Sequence, residues 1–487
     1  MAHIVIVGAG ITGLALAFRL RQARPDFAVT LLESEPRPGG KIWTERRDGF
    51  QVEIGPNGFL DSKPATRQLC RDLGLDGELI AASELSRKNR FLFLDDRLQK
   101  LPGGPFGLLT SRLLSTRGKL AMLREPFRGR STAAGDESVA AFFRRRLGNE
   151  AAAVLGDVLV TGIHGGDPEL LSMKAAFPRV AEIEAKYGSV IRGFRRAAKE
   201  RRREAVAKGE VPSTGRMWSF RGGLRRLVEA LRDRVQPICG VSVRRIESPG
   251  RAAVREDAGG AAPLETHVLT DGGSPNWIVR GDGYDSWPAD AVVLACPAHR
   301  QAEILADLDA PLAEEIAAIA CNRIAVVAIG FRESDVPKLP DGFGYIAPQS
   351  TRRDLLGVQW CSAIYPDRAP AGFVLWRALC GGWHRGEIVD WDDDGLLNAV
   401  RSELQLAQGV QAAPAFHYIA RWPRAIPQYQ IGHSERVERI EQLAARHRGL
   451  YLSGNSYHGV ALNDCTEQAT ILAEHLAGTF ASVGAGG

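Results

Sequence analysis

Gly8-Ala9-Gly10-Ile11-Thr12-Gly13 follows directly on the run Ile4-Val5-Ile6-Val7 and opens into Leu14-Ala15-Leu16-Ala17-Phe18-Arg19-Leu20. A buried β-branched strand, a G-x-G-x-x-G turn and an apolar helix, in that order, are the parts of a dinucleotide site. Gly8 makes the tight turn, Gly10 lets the backbone approach a pyrophosphate, and Gly13 lets helix and strand pack closely. The helix start offers unbonded N–H groups and a positive dipole end to the anion. A second strand, Val29-Thr30-Leu31-Leu32, ends in Glu33, twenty residues past Gly13, where a carboxylate accepts ribose hydroxyls. Two more glycine-rich turns follow, Gly39-Gly40-Lys41 and Gly55-Pro56-Asn57-Gly58. Such turns let bare backbone press against a flat cofactor where a Cβ would collide.

These residues need elements to hold them. The chain has 487 residues, enough for two to four domains with a sizeable core, and its 45% apolar and 24% charged content is that of a globular protein. Sixty-two Lys and Arg against 57 Asp and Glu leave +5, too mild for a nucleic-acid partner. Seven scattered cysteines form no CxxC pair, which argues against a disulfide framework or a metal site and for a reducing compartment. No uncharged stretch of 18 apolar residues occurs, and the apolar run after Met1 is too short for a signal peptide. The expected location is therefore the cytoplasm.

Three separated blocks, 1–60, 215–300 and 420–487, read as one dinucleotide-binding domain. The second block has a helix after Phe220-Arg221-Gly222-Gly223-Leu224, a strand at Gly240-Val241-Ser242-Val243, and a buried strand at Ala291-Val292-Val293-Leu294-Ala295. The third has Gly449–Gly454 as strand and turn, then a helix over about Asp464 to Leu476. Two insertions interrupt the domain. Residues 61–214 are helical and rich in arginine, including Arg195-Arg196 and Arg201-Arg202-Arg203. That basic surface is either a solvated helix face or one that meets anionic lipid or an acidic substrate. Residues 301–419 read as a mixed sheet, with strands at Ile324–Ile329 and Gly372–Trp376. The Gly-, Asp- and Pro-rich stretch from about 250 to 288 reads as a hairpin with loose turns.

The double-glycine segment and the G-P-x-G turn resemble those of the amine oxidase, desaturase and porphyrinogen oxidase group of FAD enzymes. Longer motifs narrow the resemblance to the protoporphyrinogen/coproporphyrinogen oxidase family of haem synthesis. Thr161-Gly162-Ile163-His164-Gly165-Gly166-Asp167-Pro168-Glu169-Leu170-Leu171-Ser172-Met173 is similar to its G-x-x-x-G-D-P-x-x-L-S-M loop. Lys186–Gly193, Tyr365–Pro370 with Cys380-Gly381-Gly382, Trp422–Tyr429 and Gly454–Cys465 match four further family segments in order.

The resemblance implies an α/β fold: a Rossmann-like FAD-binding domain of the amine oxidase/glutathione-reductase-like kind, with an inserted mixed-sheet substrate domain and an inserted helical domain. It implies non-covalent FAD held by Gly8, Ala9, Gly10, Ile11, Thr12, Gly13, Glu33, Gly40, Lys41, Gly55, Pro56, Asn57 and Gly58. It adds Val243 at the adenine, Trp422 near the flavin, and Val460, Ala461 and Leu462 at the pyrimidine end. For the substrate it implies Arg90 pairing with a propionate, Ile346 and Leu379 as apolar walls, and Gly162, Gly165 and Gly166 below the macrocycle. The reaction implied is oxygen-dependent, six-electron oxidation of a porphyrinogen, protoporphyrinogen IX or coproporphyrinogen III. It runs as three hydride transfers to flavin N5 with release of three H2O2, and no acid–base residue is required. Asn57, His164 and Leu379 depart from common family residues, which bears on substrate choice. Partners implied are the porphyrinogen, O2 and the next haem-pathway enzyme, with peripheral contact to the inner face of the cell membrane and either monomer or homodimer left open. Rival readings are a flavin amine oxidase, a carotenoid-desaturase-like enzyme and a non-catalytic flavin-binding scaffold. Against the first, the strand after Cys321 carries no lysine before Lys338.

Overall fold

Ile4, Val5 and Ile6 are wholly buried because their strand runs through the middle of a parallel sheet. The computed structural model describes residues 1–103, 107–108, 110–129, 135–207, 215–248 and 276–480. β1 (His3–Val7) pairs in parallel with β2 (Ala28–Glu33) and with Ala291–Leu294. Ile238–Cys239 and Leu450–Leu452 complete the five strands at the two edges. Between β1 and β2 runs α1 (Ile11–Ala23), buried along most of its length against the helices Arg225–Val235 and Leu462–Thr479. The opposite face of the sheet is covered by the helices Ala298–Leu305, Ala310–Ala317 and His433–Ala444. Helices on both faces explain why β1 and Ala291–Leu294 are apolar without alternation.

A second sheet of seven strands runs in the order 416–422, 323–332, 373–382, 355–359, 344–346, 90–94 and 97–100. It is mixed, since Gly344–Ile346 lies parallel to Arg90–Leu94 while its other pairings are antiparallel. One face is sealed by Leu396, Val400 and Leu404 of the helix Asp393–Gln408. Helices from Thr116–Leu123 to Val190–Ala207 form the remaining part. Their packing encloses an ion pair between the fully buried Arg146 and Glu125, whose carboxylate also accepts from Ser189 Oγ and the Val190 N–H. Nearby, Leu120, Leu123 and Phe127 are exposed. Among the described residues no helix is long and apolar enough to cross a membrane.

Several expectations need correction. The proposed boundary between 300 and 301 falls inside the helix Ala298–Leu305, and the next helix still packs on the dinucleotide sheet. The boundary at 420 falls inside the strand Phe416–Trp422, and residues 90–100, placed in the helical insertion, are two strands of the seven-stranded sheet. The strand expected at 240–243 is instead Ile238–Cys239. Val243 lies in extended coil, because the chain leaves the sheet once the Val241 N–H has bonded the Glu33 carbonyl (2.8 Å). Trp277–Arg280 and Ser286–Ala289 do form an antiparallel hairpin. The rest of the stretch expected to form it, 250–275, lies outside the described residues.

Candidate active site

The first glycine turn is as tight as the sequence suggests. Gly8 sits at φ +103°, and a Cβ on Gly13 would lie 2.0 Å from the Gly8 carbonyl oxygen. Gly10 differs: a Cβ there would meet nothing within 4 Å, so its missing side chain leaves open space in front of the start of α1. Glu33 is buried beside it, with Oε2 accepting from the Ala9 N–H (2.7 Å) and Oε1 from the Glu35 N–H (3.0 Å). The Gly39 N–H bonds the Ala9 carbonyl (2.8 Å), which brings the double-glycine segment alongside, and a Cβ on Gly40 would come within 3.7 Å of Gly10 Cα. Lys41 continues the wall. Its ammonium donates to the Ala425 carbonyl, and burial lowers its pKa. A Cβ on Gly55 would strike the Lys41 carbonyl oxygen at 1.8 Å, so the second turn is pressed directly against the first segment.

The Gly55–Gly58 turn is clamped from behind. Trp422 Nε1 donates to the Ile54 carbonyl (2.7 Å) and Arg377 Nη2 donates to the Gly55 carbonyl. Gly58 packs within 2.6 Å, measured from a built Cβ, of the Trp218 carbonyl and Tyr365 Oη. The turn then reaches the last helix: Asn463 Nδ2 donates to the Leu60 carbonyl, and Lys63 pairs with Asp464 (2.7 Å). That helix start returns to α1 through the Cys465–Thr12 hydrogen bond. These contacts bring the segments of Gly10, Gly40, Lys41 and Gly55–Gly58 and the start of the last helix together around the N-terminus of α1. At the start of the last helix Asp464 Oδ2 takes the Ala461 N–H (3.1 Å), so that amide is already occupied. Val243 lies two residues after the Val241–Glu33 bond.

This arrangement fits a dinucleotide flavin. Gly10 provides a cradle that a Cβ would fill, and Glu33 supplies a fixed carboxylate. Asn57, 6% exposed, leaves both its amide nitrogen and its oxygen without a protein partner, so both are available to a polar ligand.

The seven-stranded sheet presents one face toward these segments. Ile346 stands opposite Gly357, Gly357 opposite Leu379, Leu379 opposite Val326, and Val326 opposite Ala420. Directly paired residues share a face, so Ile346 and Leu379 look the same way across a gap where Gly357 has no side chain. Leu379 packs with Val326, Ile324 and Trp422, the last of which holds the flavin-side turn. One step along the strands, a second row reads Arg90, Gly344, Gln359, Arg377, Ala328 and Tyr418 on that same face. Arg90 thus stands three strand spacings from Arg377, roughly 14 Å. It is exposed, lies over the Phe343 ring (4.9 Å), and has no ion pair among the described residues.

The loop from Gly162 to Gly166 closes over the edge of the face. A Cβ on Gly162 would lie 2.9 Å from Ile346 Cδ1, and one on Gly166 would lie 2.1 Å from Gln428 Oε1. Asn322 Nδ2 donates to the His164 and Gly165 carbonyls (2.7 and 3.0 Å), and Gln428 Nε2 to that of His164 (3.0 Å). His164 itself is buried edge-on to Phe177, and burial pushes its imidazole down to about 4. It is a neutral packing group.

The sequence matches the family described as flavin containing amine oxidoreductase over residues 11–477. The chain belongs to this family. Within it, the chain belongs with the protoporphyrinogen/coproporphyrinogen oxidases. It is 30% identical to the coproporphyrinogen III oxidase of Staphylococcus aureus (strain NCTC 8325 / PS 47), over 97% of this chain and 98% of that one. It is 31% identical to the protoporphyrinogen oxidase of Homo sapiens, over 98% of both chains. A solved structure from Exiguobacterium sp. 255-15, provisionally named a protoporphyrinogen oxidase, superposes with a TM-score of 0.79 at 25% identity, over 98% of this chain and 99% of that one. This flavoenzyme is an FAD-dependent oxidoreductase, and FAD is its cofactor.

Sequence reasoning passed over four residues of the flavoenzyme's site. Asn322 and Gln428 pin the Gly162–Gly166 loop, and the buried Arg377, with Gln359 beside it, clamps the Gly55–Gly58 turn. Arg377 did leave a signal: it interrupts the apolar run Val374-Leu375-Trp376-Arg377-Ala378-Leu379, and a charge inside a buried strand needs a reason.

Proposed function

We propose that this flavoenzyme oxidises a porphyrinogen, coproporphyrinogen III or protoporphyrinogen IX, to the porphyrin of haem synthesis. The observation that carries the reading is the sheet face that holds Ile346, Leu379 and Arg90. It is broad and apolar from Ile346 to Leu379, adjoins the flavin-side turn through Trp422, and has an unpaired guanidinium at Arg90 on its far side. A flat macrocycle bearing propionates asks for those three features together. The apolar wall holds the rings, the Gly162–Gly166 loop excludes water from above, and Arg90 offers two parallel N–H donors to a carboxylate. The names of the 30–31% identical relatives support the same substrate class.

Bound FAD supplies a two-electron acceptor that O2 restores, so removing six electrons and six protons takes three rounds and makes three H2O2. The protein's share is to hold a meso carbon against the cofactor and keep water out. Pyrrole N–H tautomerisation releases the remaining protons, and accordingly no side-chain base is assigned. The stoichiometry tests this reading. An oxygen electrode and a peroxide assay run beside porphyrin absorbance should give three O2 consumed and three H2O2 formed per porphyrin. One O2 per porphyrin, or none, would refute the oxidase cycle.

A further inference from the structure

Behind the Gly55–Gly58 turn lies a buried set of charges that does not balance. Arg368 is 1% exposed, Arg377 is 4% exposed and Glu53 is 3% exposed. Glu53 is committed elsewhere: Oε2 accepts from Thr44 Oγ1 (2.9 Å) and Oε1 from the Leu224 N–H (2.9 Å), at the entry to the helix Arg225–Val235. Its guanidinium neighbour is Arg368, at 3.8 Å, which also donates to Ser219 Oγ (2.9 Å). Arg377 makes no ion pair among the described residues. Nη2 donates to the Gly55 carbonyl, Nη1 to Gln359 Oε1 (3.1 Å), and Nε has no partner. Two guanidiniums stand against at most one carboxylate, and burial lowers the Arg377 pKa, as it does for a charge with no ion-pair partner. An unpaired buried guanidinium is costly, and a neutral side chain of similar shape would pack there more favourably. Retaining it makes sense if a negative charge arrives on the other side of the turn. Asn57, in that turn, independently leaves both amide atoms without a protein partner.

We infer that Arg377 is a positioning residue for flavin reduction: its uncompensated guanidinium fixes the Gly55–Gly58 turn through the Gly55 carbonyl and stabilises the negative charge that two-electron reduction places on the cofactor. Gln359 is its partner in this role. A neutral amide oxygen satisfies Nη1 without cancelling the charge, whereas a carboxylate at the same place would cancel it. The inference rests on bound FAD alone, so a failure to turn over any porphyrinogen leaves it standing.

The test uses the purified holoprotein, the sulfite dissociation constant read from flavin bleaching, and the two-electron potential read by dye equilibration. Sulfite is an apt probe because its addition to the flavin leaves a negative charge on the ring. Gln359→Glu keeps the shape and the hydrogen bond of the site while neutralising Arg377. It should weaken sulfite binding at least tenfold and lower the potential by about 30 mV, the equivalent of tenfold for a two-electron couple. Arg377→Gln should match it, and Arg377→Lys, which keeps the charge, should stay within about threefold of the parent. If Arg377→Gln loses FAD or fails to fold, Gln359→Glu decides alone. Yellow Gln359→Glu protein with parental sulfite affinity and potential would overturn the inference. So would an Arg377→Lys protein that falls as far as Arg377→Gln, because geometry rather than charge would then be the whole role.

Discussion

Arg90 holds its guanidinium over the Phe343 ring, exposed and with no carboxylate partner among the described residues, roughly 14 Å across the sheet from Arg377. In the proposed role, pairing with a propionate away from the reacting carbon, Arg90 contributes uniform binding, felt alike by ground and transition state. Arg90→Ala should raise KM about tenfold, near 1.4 kcal/mol, and leave kcat within about twofold in steady-state assays with a porphyrinogen. An unchanged KM would remove Arg90 from the site. Residues of this kind are uneven in how far they can be read from sequence. The place of Glu33, at the end of the second strand and beside the glycine turn, was legible from a local spacing after Gly13, and its carboxylate is held by the Ala9 and Glu35 amides. Arg377 was not. Its importance comes from partners at Gly55 and Gln359 that are distant in the chain, and from the absence of a carboxylate, which no local pattern records.

At the level of elements, the turn between β1 and α1 makes the sharpest case. Gly10 has φ −68° and ψ 179°, a conformation that any residue adopts, and its Cβ position is empty. Neither backbone strain nor packing within the protein explains a glycine there; a ligand approaching the backbone does. Gly10→Val should therefore give a protein that folds, with far-UV circular dichroism and apoprotein melting close to the parent's, yet purifies colourless. Retained yellow flavin would contradict that reading. The periodicities of β1, α1 and the last helix were read correctly in kind, and the structure extends the final helix to Leu462–Thr479 because its N-terminal turn is capped by Asp464. The short strand Ile238–Cys239 was misplaced, since two residues of pairing at a sheet edge leave too little pattern to locate. Sheet register was out of reach altogether. That Ile346, Leu379 and Arg90 share a face follows from a chain of three strand pairings, one of which joins Arg90 to Gly344 across the length of the chain.

Over the whole molecule, the chain passes back and forth between the five-stranded sheet and the seven-stranded sheet. Strands at 90–100 join the second sheet before the chain returns to the first, and the helices Ala298–Leu305 and Ala310–Ala317 stay with the first after the insertion was expected to begin. Alternating apolar and polar blocks reveal that there are two sheets, but not which segments cross between them. This crossing sets Trp422, the last residue of a substrate-sheet strand, against Ile54 in the cofactor turn, and so joins the apolar face to that turn. The central claim is that such a junction brings a porphyrinogen to FAD. Its most direct test is an aerobic fluorescence assay of the purified yellow protein, with coproporphyrinogen III and protoporphyrinogen IX run side by side. The structure calls for porphyrin emission rising well above autoxidation with at least one of them, the ratio of kcat/KM values then identifying the preferred substrate. No rise with either, from protein carrying a full complement of FAD, would contradict the claim.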